Sequence, residues 1–315
     1  MNIIQTMDAQ AAMAFAISQA TRINATVYRT QYPEVRYRGL IPVDTTGPEW
    51  VKSVTYFSLD GVGRAEWLNA GADDVPRAEI IRSKMETTVG MAGIGYGWNL
   101  EELAQAQMLG INLAESKGIA ARRAAEEKID IVALFGDAEK GFTGLVNNPA
   151  VTQIDAAATG TGGSTEWADK DADAILGDVD TALTRVFDDT NTVGLSNTLL
   201  MPNSRYSLLN RRMVTPMADK TVLTWLKENN LFTQETGLPL MIRGVRGMET
   251  MGEGGTARMV AYRNSPDVLK LNMPMPFRFF PVWQTGPFRF EVPGAFRIGG
   301  VDFLLPKEAV YMDGI

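Results

Sequence analysis

The sequence predicts an α+β fold, and three observations carry that prediction. One long amphipathic helix is legible over 100–135, strand-like segments flank it on both sides in the chain, and a run of shorter helices interrupts the strands in mid-sequence. Strands and helices do not alternate as they would in a parallel α/β sheet, and no internal repeat is found.

From the N-terminus, residues 1–48 read as a helix at about 9–20 followed by an extended arm. Pro33 and Pro42 break regular structure, while Tyr28, Tyr32, Tyr37 and Leu40 offer an apolar surface with little local core, so the arm should lie on its own body or on a neighbour. The apolar run 11–17 lacks the basic n-region of a signal peptide and follows Asp8, which favours a short amphipathic helix. Residues 50–59 have strand composition and 78–89 form a return strand. Asp60-Gly61-Val62-Gly63 and residues 69–76 are read as turns between them. A lone hairpin is marginal in water, so this excursion needs a surface to rest on. In 90–98 glycines 93, 95 and 97 alternate with Ile94, Tyr96 and Trp98, the period of one strand with a bare face and an aromatic face.

Asn99 is a good N-cap for the long helix, with Glu102 placed to complete a capping box, and Gly136 stands where it should stop. A single helix over 100–135 would be about 54 Å long. On a helical wheel Leu100, Leu103, Ile111, Leu113, Ala114, Ala121, Ala124, Ala125, Ile129, Ile131 and Val132 share one face. Glu101, Asn112, Glu115, Ser116, Arg123, Glu126, Glu127 and Asp130 share the other. The apolar face is mostly small (Gly110, Ala114, Gly118, Ala121, Ala124, Ala125), and no heptad of large residues is sustained. The helix therefore reads as a spine against which a sheet lies closely, not as a coiled coil.

After the spine, 155–167 is a Gly/Thr/Ala loop and 175–187 an amphipathic helix. A strand over 198–201, helices over 204–212 and 221–229, and strands over 239–245 and 256–263 around a Gly-rich turn follow. The tail from 277 to 315 is rich in aromatics and proline and reads as several strands with edge or bulge prolines.

Composition narrows function by exclusion. The 315 residues hold 30 Lys plus Arg against 37 Asp plus Glu, a net charge of −7, which disfavours a dedicated nucleic-acid binder. There is neither Cys nor His, so no disulfide, thiolate nucleophile, Cys/His zinc site or His-based triad can be built. No run is long and apolar enough to span a membrane. Gly-Thr-Gly-Gly-Ser-Thr at 160–165 lacks the Lys of a phosphate loop, and the glycines of 90–98 lack dinucleotide spacing. Asp169, Asp171, Asp173 and Asp180 imitate a calcium loop, but Ala174 stands where Gly is needed, so the acids are read as helix-dipole partners. The pairs Glu101/Glu102 and Glu126/Glu127 would be the candidates for a carboxylate hydrolase. Adjacent helical residues point about 100° apart, which prevents a facing acid/base couple. No catalytic, cofactor-binding or metal-binding residue is predicted, and no cofactor.

This order of elements resembles the major capsid protein of tailed phages with the Hong Kong 97-like fold, which encapsulin nanocompartments share. The segments carrying the resemblance are Trp-Asn-Leu-Glu-Glu-Leu at 98–103, Ala-Ala-Arg-Arg-Ala-Ala-Glu-Glu-Lys-Ile-Asp at 120–130, 141–151, 199–209 and the ending from Arg297 to Ile315. The resemblance implies an N-terminal arm (1–48), an extended hairpin loop (49–89) and a peripheral domain with the spine helix (90–149). It further implies an axial domain (150–266), return strands of the peripheral domain (267–300) and a C-terminal strand of the axial domain (301–315). As function it implies a non-enzymatic subunit assembling with itself, as hexamers and pentamers, into an icosahedral virion shell built in the host cytoplasm. Implied partners are packaged double-stranded DNA held without sequence specificity, together with scaffolding, portal and decoration proteins, and no membrane. An encapsulin-type compartment around a cargo enzyme is the alternative.

Three finer expectations go with the resemblance. Some members carry an N-terminal scaffolding segment or long helical extension; here the arm begins at Met1, so scaffolding is expected from another protein or from none. Others lock their shells by isopeptide bonds from a hairpin Lys. The tip 60–76 holds Arg64 but no Lys, and Lys52 and Lys84 lie towards the base, so a non-covalent shell is expected. Lys117, Arg122, Arg123 and Lys128 form the basic cluster of the spine, and are read either as a patch for weak phosphate contact or as surface ion-pair partners of Glu126 and Glu127.

Overall fold

The computed structural model describes residues 34–62, 79–99, 101–102, 113–215 and 219–315. The expected helix at 9–20, the arm residues Tyr28 and Tyr32, the hairpin tip and residues 103–112 of the spine lie outside the described residues.

The end of the arm is α1 (Tyr37–Leu40) followed by β1 (Val43–Asp44). Tyr37, Leu40 and Ile41 are buried in the main core, so this part of the arm lies on its own body. The hairpin is β2 (Ser53–Val62) against β3 (Glu79–Thr88), antiparallel from Ser53 opposite Thr88 to Val62 opposite Glu79. The turn expected at 60–63 is therefore not one: Asp60, Gly61 and Val62 stay in the ladder, where cross-strand pairing overrides their local turn preference.

The glycine-alternating segment is two strands, β4 (Gly90–Gly93) and β5 (Tyr96–Asn99), in different sheets. The chain alongside breaks at the same level, since β13 (Arg289–Val292) pairs with β5 and β14 (Gly294–Ile298) with β4, on either side of Pro293. The glycines are needed for approach across this break: a Cβ on Gly93 would sit 2.6 Å from the Gly294 carbonyl oxygen, and one on Gly95 2.7 Å from that of Val292. β11 (Met275–Phe279) completes one sheet and β12 (Trp283–Gly286) the other. A third small sheet joins β1, β10 (Leu269–Asn272) and β15 (Val301–Phe303).

The spine helix, α2 (Leu113–Phe135), runs about 34 Å. Glu102 accepts a bond from the Asn99 backbone amide, the reciprocal half of the expected capping box. At the other end Gly136 has φ +75°, and a Cβ there would collide with the Phe142 carbonyl. Ala121, Ala125, Ile129, Val132, Ala133 and Leu134 are buried. Gly118 faces the Tyr96 ring of β5, 3.6 Å from where a Cβ would be, so the small face does admit a strand. Two expected core residues are not in the core. Ala124 is exposed and Ile131 is 45% exposed, because both fall beside the buried stripe that runs through Ala121, Ala125, Ile129 and Val132. Conversely, Glu126 and Asp130 of the expected solvent face lie half-covered beneath α1.

Beyond the spine, β6 (Thr152–Asp155), β7 (Thr198–Pro202), β8 (Met241–Val245), β9 (Arg258–Tyr262) and β16 (Ala309–Asp313) form a five-stranded sheet ordered β6-β16-β9-β7-β8. β7, β9 and β16 are buried on both faces, as near-continuous apolar runs require. Alternate residues divide between two cores. Leu200, Val260, Tyr262 and Tyr311 join the spine's core, whereas Leu199, Met201, Met259, Ala261 and Met312 join a second. The second core is roofed by α3 (Ala172–Asp189), α4 (Asn203–Arg211) and α5 (Val222–Glu228), with α6 (Leu231–Thr236) packed against α3. Asp171, Thr221 and Asn230 cap α3, α5 and α6 through side-chain oxygens. Within this core Asp178 accepts from Lys170 at 2.5 Å and from the Trp167 indole at 2.9 Å, so the buried charge pair is fully partnered.

Candidate assembly surfaces

Of the residues weighed for chemistry, Glu102, Glu126 and Asp171 are each taken up by a partner. Glu102 pairs with Lys117 at 2.6 Å, while Glu126 takes the Tyr37 hydroxyl at 3.0 Å and Arg38 at 2.9 Å. Asp171 is spent on capping α3, and among the described residues no group of three or more acidic side chains is placed to hold a metal ion. No helix among them is long and apolar enough to cross a membrane. Of the basic cluster on the spine, Lys128 pairs with Asp137 at 2.9 Å and Lys117 also donates to the Gly97 carbonyl. That leaves Arg122 exposed there without an acidic partner among the described residues.

The hairpin is a two-stranded ribbon whose base is tied into the body by a polar network. The Tyr56 hydroxyl donates to Asn272 Oδ1 at 2.5 Å, and Asn272 Nδ2 donates to Asp302 Oδ2 at 2.5 Å. The Thr87 hydroxyl donates to Asp302 Oδ1 at 2.6 Å, and the Lys270 ammonium sits 4.6 Å above the Tyr56 ring while pairing with Asp44 at 2.9 Å. β2, β3, β10 and β15 thus share one cluster. Burial raises the Asp302 carboxyl against the opposing bonds from Thr87 and Asn272. Burial and the nearby Asp302 charge push Tyr56 up to about 12. Asp44 goes the other way, to about 2, held first by hydrogen bonds from Thr46 and then by Lys270.

Next to this base the described side chains are open to solvent. Phe57 is 68% exposed, and Met85, beside Phe57's cross-strand partner Lys84, is exposed as well. Further large apolar side chains stand in solvent at Trp50, Met91, Val282, Trp283 and Phe288, the last three around the β12–β13 hairpin. So many exposed aromatics on one chain mark surfaces made to be covered.

A family model described as "Major capsid protein" matches residues 63–315. The chain belongs to the major capsid protein family. Its role is accordingly structural, that of a capsid subunit assembling with copies of itself. Among solved structures, the capsid of Myoviridae phage XM1 is similar at 18% identity and a TM-score of 0.75, over 95% of this chain and 98% of that one. The capsid of a native GTA particle is similar at 10% identity and TM-score 0.61, over 93% and 94%. The virus-like particle from Pyrococcus furiosus follows at 12% and 0.53, over 88% and 91%. These likenesses are of fold. No curated protein sequence matches the chain.

For a capsid subunit, the network at the hairpin base is the part that sequence reading missed. Its members lie on four strands, and the Tyr56–Asn272 and Thr87–Asp302 bonds join residues 216 and 215 positions apart, so no local pattern announces it.

Proposed function

We propose that the chain forms the icosahedral shell of a tailed phage, closing hexamers and pentamers around double-stranded DNA. The observation that supports this reading most is the hairpin ribbon tied to the body at its base with Phe57 and Met85 exposed just beyond, in a chain whose family builds capsids. A ribbon of that kind buries its aromatics only when another subunit lies beneath it. The domain assignment that goes with it is an arm (1–48), a hairpin loop (49–89), a peripheral domain (90–149 with 267–300) and an axial domain (150–266 with 301–315). In the last, β16 returns to the five-stranded sheet. On this reading the subunit has no catalytic role, resides in the virion after assembly in the host cytoplasm, and touches DNA through weak, salt-sensitive phosphate contacts. Scaffolding, portal and decoration proteins are the further partners it implies.

The alternative is an encapsulin-type compartment. The higher fold similarity to the phage capsid, 0.75 against 0.53 for the virus-like particle, favours the phage reading. Particle contents test it: shells from infected or induced cells should protect double-stranded DNA from nuclease. Shells filled with a single enzyme and no DNA would reverse the choice.

A further inference from the structure

The second core carries a groove that is left open among the described residues. It lies between α3 and α5, has a volume of about 420 Å³, and is floored by Leu176, Leu183 and Trp225. Asp173 and Asp180, seven residues and two helical turns apart, stand along it without an acid–base partner among the described residues. Gly177 lies between them in the middle of α3, and a Cβ there would meet nothing within 4 Å. A glycine in a helix interior weakens the helix relative to alanine, and packing within the subunit does not require this one. It leaves bare backbone beside the groove, open to a close approach from outside.

A complementary surface exists on the same lobe. β8 is an edge strand of the five-stranded sheet; Ile242 enters the second core, so Met241 and Arg243 project from the opposite face of the sheet, where both are exposed. Leu238 just before them is exposed too, and Arg243 has no acidic partner among the described residues. One surface is an apolar groove edged by two unpaired acids, and the other is an apolar ridge carrying one unpaired base.

Resting on the capsid reading, we infer that the groove of each subunit receives the 238–243 ridge of a second copy, with Arg243 set against Asp173 and Asp180. Because the two surfaces lie on opposite faces of one sheet, each subunit can make both contacts at once. That is the heterologous, head-to-tail arrangement a closed ring requires. The paired charges fix the register of the contact and oppose wrong partners.

The experiment uses the full-length chain and reads assembly by sedimentation and electron microscopy, with circular dichroism melts to establish that each variant folds. Asp180→Arg and Arg243→Asp should each lower the assembled fraction by about tenfold or more, and the double reversal should restore most of it. Gly177→Leu should fold at least as stably as the parent, since the space is open, yet fail to assemble. Folded single variants that assemble like the parent, or a double variant no better than the singles, would overturn the contact while leaving the shell reading intact. A parent chain that forms no particles at all would overturn the shell reading and the contact with it.

Discussion

Arg258 and Asp313 face each other across paired strands, with Nε to Oδ1 at 2.6 Å and Nη2 to Oδ2 at 2.7 Å, both side chains buried. Arg258 also donates to the Val146 carbonyl at 2.8 Å and lies over the Tyr311 ring, while Asp313 takes Gln153 at 2.7 Å and the Glu253 amide at 2.9 Å. The pair therefore ties β9 and β16 to the loop that follows the spine. Asp313→Ala strands a buried guanidinium and should cost about 3–5 kcal/mol. Urea unfolding of the soluble subunit measures it; a loss below about 1 kcal/mol would show the pair to be solvent-compensated.

The spine offers a test of which side is pressed against the body. Ala125 is buried, so Ala125→Leu should destabilise by about 1–3 kcal/mol through overpacking. Ala124 is exposed one residue earlier, and Ala124→Glu should stay within about 0.5 kcal/mol. Equal losses at both positions in the same urea experiment would mean that the buried stripe has been misplaced.

At the hairpin base, Tyr56→Phe removes the donor to Asn272 and should cost about 0.5–1.5 kcal/mol. The loss should be local: amides of β2 and β3 should exchange faster while those of β9 and β16 are unchanged. Uniform acceleration across the sheets would contradict a local anchor.

The same cluster sets an acid limit. Asp44 has a folded pKa of about 2, below its ordinary value, so the stability it contributes is present above about pH 4 and is lost as pH falls towards 2. Asp302 is shifted upward and has the opposite sign, favouring the folded state as it takes up its proton. Asp44→Asn should therefore flatten the acid side of the stability profile; an unchanged profile would remove Asp44 from the account.

Much of this fold was legible because its signals are local. Glu102 takes the Asn99 amide as the capping box requires, and Gly136 stops the spine through a backbone that tolerates positive φ. What was not legible depends on chain remote in sequence. Gly61 signals a turn but sits opposite Ile80 in a ladder, and the break at Ile94-Gly95 exists because Pro293 interrupts the neighbouring strand. Asp130 belongs to the polar stripe by spacing, yet accepts the Arg36 and Tyr37 amides at 2.8 Å and so starts α1. The assembly surfaces were visible only as apolar residues lacking a local core, which says that something covers Phe57 without saying what.

The absence of a lysine over 60–76 bears on how shells hold together. Of the two lysines near the base, Lys84 pairs with Glu86 at 2.8 Å and Lys52 is exposed. Boiling mature particles in detergent should release one band at 34.5 kDa. A ladder of covalent oligomers would contradict this and identify Lys52 or Lys84 as the donor.

The most direct measurement is electron microscopy of the purified full-length protein, with light scattering on the same sample. The account predicts rings or closed shells of uniform diameter, with the apolar ribbon covered by neighbouring subunits. A stable monomer of 34.5 kDa persisting at high concentration, with Phe57 and Trp283 still open to solvent, would contradict it.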